Sequence, residues 1–227
     1  GIDKVTKFDT TDFPTKVASF VKDFEPTDFI DKKEARRMDR YTHFASAASK
    51  MAVNHSKLNI DKVDKDRFGV VIGSGIGGIE TLENQHEVLL SKGPGRISPF
   101  FIPMMIPNMA AGQIAIQFGA KGFSECVVTA CATSTNAVGD AFRLIQGGYA
   151  DVILTGGAEA AVTPLAFAGI CSMGAMSKKE DPNRASIPFD AERDGFVMGE
   201  GGGVLLLEEL EHALKRGADI IAEIIGY

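Results

Sequence analysis

Ser124 to Gly148 reads SECVVTACATSTNAVGDAFRLIQGG, and the parsing of this stretch decides the fold. It opens on an apolar run, Cys126-Val127-Val128, which is expected to form a buried strand. Thr129 to Ser134 then packs small residues around one sulfur, that of Cys131. A helical pattern follows, with Ala137, Val138, Ala141, Leu144 and Ile145 on one face and Gly147-Gly148 as its stop. Cys131 is therefore predicted where a strand hands over to a helix, at the helix N-terminus. Free backbone N–H groups and the helix dipole favour an anion at such a place. Small neighbours leave room for a substrate to reach the sulfur. A free Cys is also, more simply, a small buried hydrophobe; the setting makes Cys131 the candidate nucleophile.

Outward from this stretch, short apolar runs alternate with helical patterns. Phe68 to Ile72 and Gly203 to Leu207 read as strands, and Asp151 to Thr155 as a short buried one. A helix is expected over Glu208–Arg216 and a last strand over Asp219–Ile225. Gly73-Ser74-Gly75-Ile76-Gly77-Gly78 follows the first of these strands and precedes a helical segment, Ile79–Leu90. That is the G-x-G-x-x-G pattern of a dinucleotide site. Such a site also wants an acidic strand end about 20 residues on, where this chain has GPGRISPFFIP instead. The match is weak. Asn108 is placed to cap a helix through Phe118, in a segment read as buried on more than one side. The alternation gives an α/β plan with a sheet covered on both faces.

Upstream, the first 30 residues lack a period and read as irregular, with a short strand near Lys16–Val21. Asp31 to Lys57 reads as one long helix, capped by Asp31 with Glu34 three residues on. Its first half carries Lys32, Lys33, Arg36, Arg37 and Arg40, with 32, 36 and 40 on one stripe and 33 and 37 on the next. The stripe is either a dock for an acidic partner or a solvated face balanced by Asp31, Glu34 and Asp39.

The chain has 227 residues, 44% apolar and 24% charged, an ordinary globular composition. Its 25 glycines concentrate after apolar runs, as tight strand-to-helix turns require. A net charge of −6 weighs against nucleic acid as the main partner. Three Cys argue against a disulfide framework and for a reducing, cytoplasmic setting. No apolar run approaches the roughly 20 residues of a membrane span, and no signal-peptide pattern opens the chain. The chain begins without Met, as a fragment would. A nucleophilic Cys commonly works with a His, but His43, His55, His86 and His212 all read as structural or surface residues. Cys126 and Cys171 lie in apolar runs and read as core. No CxxC, HxxxH or HExxH pattern supports a metal.

Taken together, TACATSTNAVGDAFRLIQGGYADVILTGGAEA, IPFDAERDGFVMGEGGGVLLLEELEHALKRGA, GSGIGGIETLENQHE and SPFFIPMMIPNMAAGQIA strongly resemble the β-ketoacyl-[acyl-carrier-protein] synthases. Within them the resemblance is to the type II elongating enzymes of bacterial fatty acid synthesis. It covers essentially the whole chain, with the motifs in order. It implies a thiolase-like α/β fold, two βαβαβ halves in five αβαβα layers, normally a homodimer in the cytoplasm. Residues 1–227 correspond to the N-terminal half, without the family's opening strand and without the C-terminal half. The resemblance further implies that Cys131 carries the acyl group as a thioester, and that malonyl carrier protein loses CO₂ and attacks it. Ile106 and Ile170 match acyl-pocket positions, and Lys33, Arg36 and Arg37 a docking patch for acyl carrier protein. The two His of the family's catalytic set belong to the second half, so this chain alone is expected to be inactive. Neither a cofactor nor a metal is called for. The alternatives are a polyketide-type ketosynthase, from whose usual DTACSSS the TACATS run departs, and a non-catalytic dimerisation or carrier-protein-binding module.

Overall fold

A computed structural model describes all 227 residues. The first elements are a small antiparallel pair, β1 (Ile2–Lys4) and β2 (Val17–Ser19). Then come α1 (Lys32–Ala35), α2 (Arg40–Ser56), β3 (Phe68–Gly73), α3 (Ile79–Lys92), α4 (Phe101–Met105) and α5 (Met109–Phe118). The chain continues through β4 (Ser124–Glu125), α6 (Thr133–Gln146), β5 (Val152–Glu159), α7 (Pro164–Ser172) and α8 (Pro182–Ala185). It closes with β6 (Gly201–Glu208) and α9 (Leu210–Lys215).

Four strands form the central sheet in the order β4-β3-β5-β6. β3 runs parallel to β4 and β5, and β6 lies antiparallel to β5. All six residues of β3 are buried, because helices cover both faces and alternation is lost. Val70, Ile72, Val152 and Leu154 meet Tyr41, Phe44, Ala110 and Ile114 of α2 and α5 on one side. Val71 and Ile153 meet Ala137 and Ala141 of α6 on the other. Each such side chain, fully buried, contributes about 1.5–3 kcal/mol through removal from water. A second cluster, with Phe167, Met176 and Met198, ties α7 to the N-terminal pair through Val5 and Ala18. The covering on both faces that the sequence predicts holds for β3 and β5; β4 is exposed and β6 is half-exposed, with Leu205 at its surface.

Several boundaries differ. Cys126-Val127-Val128 is not a strand: β4 stops at Glu125, and Val128 is exposed. The expected helix over Asp31–Lys57 is two helices. Asp31 caps the first, accepting from Lys33 and Glu34 N–H. Asp39 begins the second, accepting from Tyr41 N–H, while its other oxygen takes the N–H and hydroxyl of Thr81 on α3. A buried carboxylate with that many donors fixes a break in the helix. Asn108 stands at the start of α5 but its side chain makes no cap bond. That segment is covered on one side only, since Ile116 is 73% exposed. α4, in the Pro-punctuated run, has no counterpart among the predicted elements. The expected last strand, Asp219–Ile225, forms no ladder. It extends toward α6 instead, where the Tyr227 hydroxyl donates to Asn136 and Arg143 donates to the Tyr227 carbonyl. Ile221 and Ile225 are exposed along it.

Candidate active site

The loops that leave the carboxyl ends of β3 and β5 meet the N-terminus of α6, the position where open α/β sheets build their sites. Two glycines make the meeting possible. Gly73 and Gly157 are paired across β3 and β5. A Cβ on Gly73 would collide with the Thr133 methyl and lie 3.1 Å from the Val127 carbonyl oxygen. One on Gly157 would collide with the Ser134 hydroxyl and lie 2.9 Å from the Gly73 carbonyl. The first turn of α6 therefore sits directly on strand backbone.

Cys131 occupies a single 3-10 turn, Ala130–Ala132, immediately before α6, and is exposed. Ala130 just before it has φ +51°, a left-handed conformation that costs an alanine about 1–2 kcal/mol. α6 holds the turn. Thr133 Oγ1 accepts from the Thr129 N–H at 2.9 Å, and the Asn136 amide donates to Thr129 Oγ1 at 2.9 Å. No side chain caps α6; the 3-10 turn serves instead, the Ala132 N–H donating to the Thr129 carbonyl and the Thr133 N–H to that of Ala130. Cys131 stands before the helix as predicted, but the strand expected at Cys126–Val128 is absent and a strained 3-10 turn leads into α6 instead.

The other cysteines differ. Burial pushes the Cys126 thiol up from its ordinary range, the Ser74 backbone opposing and Glu159 adding to the rise. Cys171 packs beside Met176 in the second cluster. No histidine bonds to Cys131. His43 Nε2 donates to the Ala35 carbonyl at 2.8 Å, and burial pulls its pKa down. His212 Nδ1 lies 2.6 Å from Glu208 Oε1. His55 and His86 are exposed.

Ile106 ends α4, half-buried, and its carbonyl accepts from the Tyr41 hydroxyl at 2.7 Å. Ile170 lies on α7 and packs on the second cluster. The two are not in one cluster; α3 lies between their elements, packed against α4 and reaching α7 through Glu83. Its carboxylate accepts from the Thr163 hydroxyl and the N–H groups of Leu165 and Ala166.

The basic patch needs correction, because the helix break destroys the two stripes. Lys33 and Arg36 are exposed with no ion-pair partner. Arg37 stacks over Phe100, 4.7 Å from its ring centre, and approaches Glu34 at 3.7 Å. Arg40 turns inward to the buried Glu200, its Nη2 2.8 Å from Oε1.

The glycine-rich loop after β3 is already occupied. Glu159 Oε2 accepts from the N–H of Gly75 at 2.7 Å and of Ile76 at 3.0 Å. These are the donors that a nucleotide phosphate would use, so the dinucleotide reading falls. Sequence reasoning passed over Glu159. Its signal was one acidic residue closing an otherwise apolar and glycine-rich strand.

A family model for the N-terminal domain of beta-ketoacyl synthases matches residues 3–213. This chain belongs to the β-ketoacyl synthase family. It is 57% identical to a 3-oxoacyl-[acyl-carrier-protein] synthase 2 of Synechocystis sp., over all of this chain and 55% of that protein. It is 53% identical to the synthase of the same name from Staphylococcus aureus, over all of this chain and 56% of that one. The chain thus spans about half the length of these relatives. Among solved structures, a beta-ketoacyl synthase from Burkholderia phymatum superposes with TM-score 0.88 at 31% identity, over 99% of this chain and 56% of that one. A type II PKS acyl-carrier protein in complex with its ketosynthase gives 0.79 at 27%, over 91% of this chain and 57% of that one. The fold is the thiolase-like α/β fold of the ketosynthases, of which this chain covers about half. No helix of the synthase chain is long and apolar enough to cross a membrane.

Proposed function

We propose that this chain is the N-terminal half of a 3-oxoacyl-[acyl-carrier-protein] synthase that elongates fatty acids by two carbons in the cytoplasm. The observation that carries the reading is Cys131, exposed on a strained turn at the uncapped start of α6, in a chain of this family. The Cys131 sulfur attacks the thioester carbonyl of an acyl group on the carrier's phosphopantetheine. The new carbon–sulfur bond replaces the carrier's, and the carrier thiol leaves with the proton. The backbone N–H of Cys131 would be one of two donors to the oxyanion that forms on the way, the other coming from the second half. Malonyl carrier protein then loses CO₂, and its carbanion attacks the Cys131 thioester. The 3-oxoacyl product stays on the carrier and the Cys131 thiol is regenerated. The two family histidines that assist decarboxylation would come from the second half.

Ile106 and Ile170 line the acyl pocket in this reading, and Lys33 and Arg36, with Arg37 beside them, meet the acidic carrier. The working assembly is a homodimer. Phe123, Val128, Tyr149 and Leu205 are exposed and offer apolar surface for packing against the rest of the enzyme. Sequence identities of 57% and 53% to 3-oxoacyl-[acyl-carrier-protein] synthases 2, against 27% to the type II PKS ketosynthase, favour fatty acyl over polyketide substrates. The test is condensation by the complete protein. Acyl and malonyl carrier protein should give CO₂ and 3-oxoacyl carrier protein, with no product from Cys131→Ala. A wild type that binds carrier protein without forming product would make it the non-catalytic module.

A further inference from the structure

The acyl-transfer chemistry leaves the half-buried Glu159 carboxylate unused. Glu159 ends β5, two residues beyond the Gly157 that seats Ser134 of α6. Its side chain crosses to the loop that leaves β3. Besides the Gly75 and Ile76 N–H groups on Oε2, its Oε1 accepts from the Ser74 hydroxyl at 3.1 Å. The Ser74 oxygen in turn accepts from the Gly77 N–H at 3.1 Å. Four consecutive residues are thus tied to one carboxyl group. The fifth, Gly78, donates to the Met105 carbonyl at 2.9 Å. A Cβ on Gly77 would lie 2.7 Å from the Met105 carbonyl, and one on Gly78 would collide with that of Met104. Ile106 follows directly in the chain. A continuous set of short contacts therefore runs from Glu159 through the loop to Ile106.

The same strand end anchors both sides of the site. Gly157 receives the α6 turn beside Cys131, and Glu159 holds the loop against which Met104 and Met105 pack. Burial pushes the Glu159 carboxyl up from its ordinary range, against the hydrogen bonds from Gly75, Ser74 and Ile76. Burying a carboxyl is costly for stability, but the half-buried Gly75 N–H and the buried Gly77 N–H need acceptors, which Glu159 and Ser74 supply. What Glu159 secures is one geometry of the loop.

We propose that Glu159 is a positioning residue that fixes the wall at Ile106 relative to Cys131 and so sets which acyl chains fit. This rests on the reading of Cys131 as the acyl carrier and Ile106 as pocket wall. The experiment compares acylation of Cys131 in the complete protein by butyryl and lauroyl carrier-protein thioesters. Glu159→Ala is expected to change the ratio of their kcat/KM values by about tenfold, with the butyryl value held within about threefold. Glu159→Gln keeps an acceptor for the Gly75 and Ile76 N–H groups and should restore most of the wild-type ratio. Ser74→Ala, which loses only the bridge to Gly77, should move the ratio in the same direction by about threefold. It decides the matter if Glu159→Ala does not fold. A ratio unchanged in folded Glu159→Ala or in Ser74→Ala, or both thioesters falling together, overturns the proposal and leaves Glu159 a structural residue. A wild type acylated by neither thioester overturns the parent reading instead, whatever the variants do.

Discussion

Ser134, the second residue of α6, occupies the space that a side chain on Gly157 would fill. The helix that follows Cys131 can approach the sheet only because β5 carries no Cβ there. Gly157→Ala should therefore force the turn outward, costing about 1–3 kcal/mol of stability and lowering Cys131 acylation by at least about tenfold. Gly95, where a Cβ meets nothing within 4 Å, is the control, and Gly95→Ala should match the wild type in both. Thermal unfolding and single-turnover acylation measure the pair. Equal behaviour of the two variants would mean that the close approach does not matter.

Cysteine accessibility gives a second check. Cys131 is exposed, whereas Cys126 and Cys171 are half-buried and burial raises the Cys126 thiol pKa. Iodoacetamide at neutral pH should label Cys131 at least about tenfold faster than either of the others. Peptide mapping over a time course reads this directly, and uniform labelling of folded protein would count against the turn geometry.

The α1 region was legible in composition but not in shape. Its basic residues stand out in the sequence, yet the helix break at Asp39 depends on Thr81, 42 residues away. No local pattern carries such a contact. The same limit explains Glu159, whose partners lie 83 to 85 residues upstream. By contrast, β3, the helix after Cys131 and its stop follow from apolar periodicity and glycines within a few residues and were readable, whereas the apolar run Cys126–Val128 suggested a strand that is not there. The segment after Ala218 failed for another reason. Its apolar residues have strand character, but a strand forms only against a partner edge.

The patch as it stands yields a graded expectation. Lys33→Glu with Arg36→Glu reverses two unpaired cations of the patch and should raise KM for acyl carrier protein by about five- to tenfold, less at high salt. Arg37→Glu should lose packing on Phe100 as well, so its effect should include a loss of stability of about 0.5–1 kcal/mol. KM for a small pantetheine thioester should stay unchanged in the double variant. If it rises equally, the cations serve the fold rather than the carrier.

Acid sensitivity should trace to Glu200. Its side chain is 1% exposed and meets Lys7 at 2.9 Å and Arg40 at 2.8 Å. Burial opposes ionisation, but the hydrogen bonds from Arg40 and Lys7 outweigh it and hold the carboxyl below its ordinary 4.5. A lowered folded pKa means that the unfolded chain binds the proton more readily. The stabilisation is full above the ordinary value and is lost as pH falls through the folded one. Glu200→Gln should cost about 3 kcal/mol at neutral pH, with the gap to wild type closing as pH falls below the ordinary 4.5 and on through the lowered folded value. Denaturant melts across that range test it, and a gap independent of pH would contradict it.

The central claim is that Cys131 carries the acyl group, and trapping the acyl-enzyme tests it most directly. The complete protein, incubated with acyl carrier protein but no malonyl substrate, should gain the mass of one acyl group per active site. Digestion should place that mass on the peptide containing Cys131, and addition of malonyl carrier protein should discharge it. An acyl group found on any other residue, or none on wild-type enzyme that still forms the condensed product, would contradict the account.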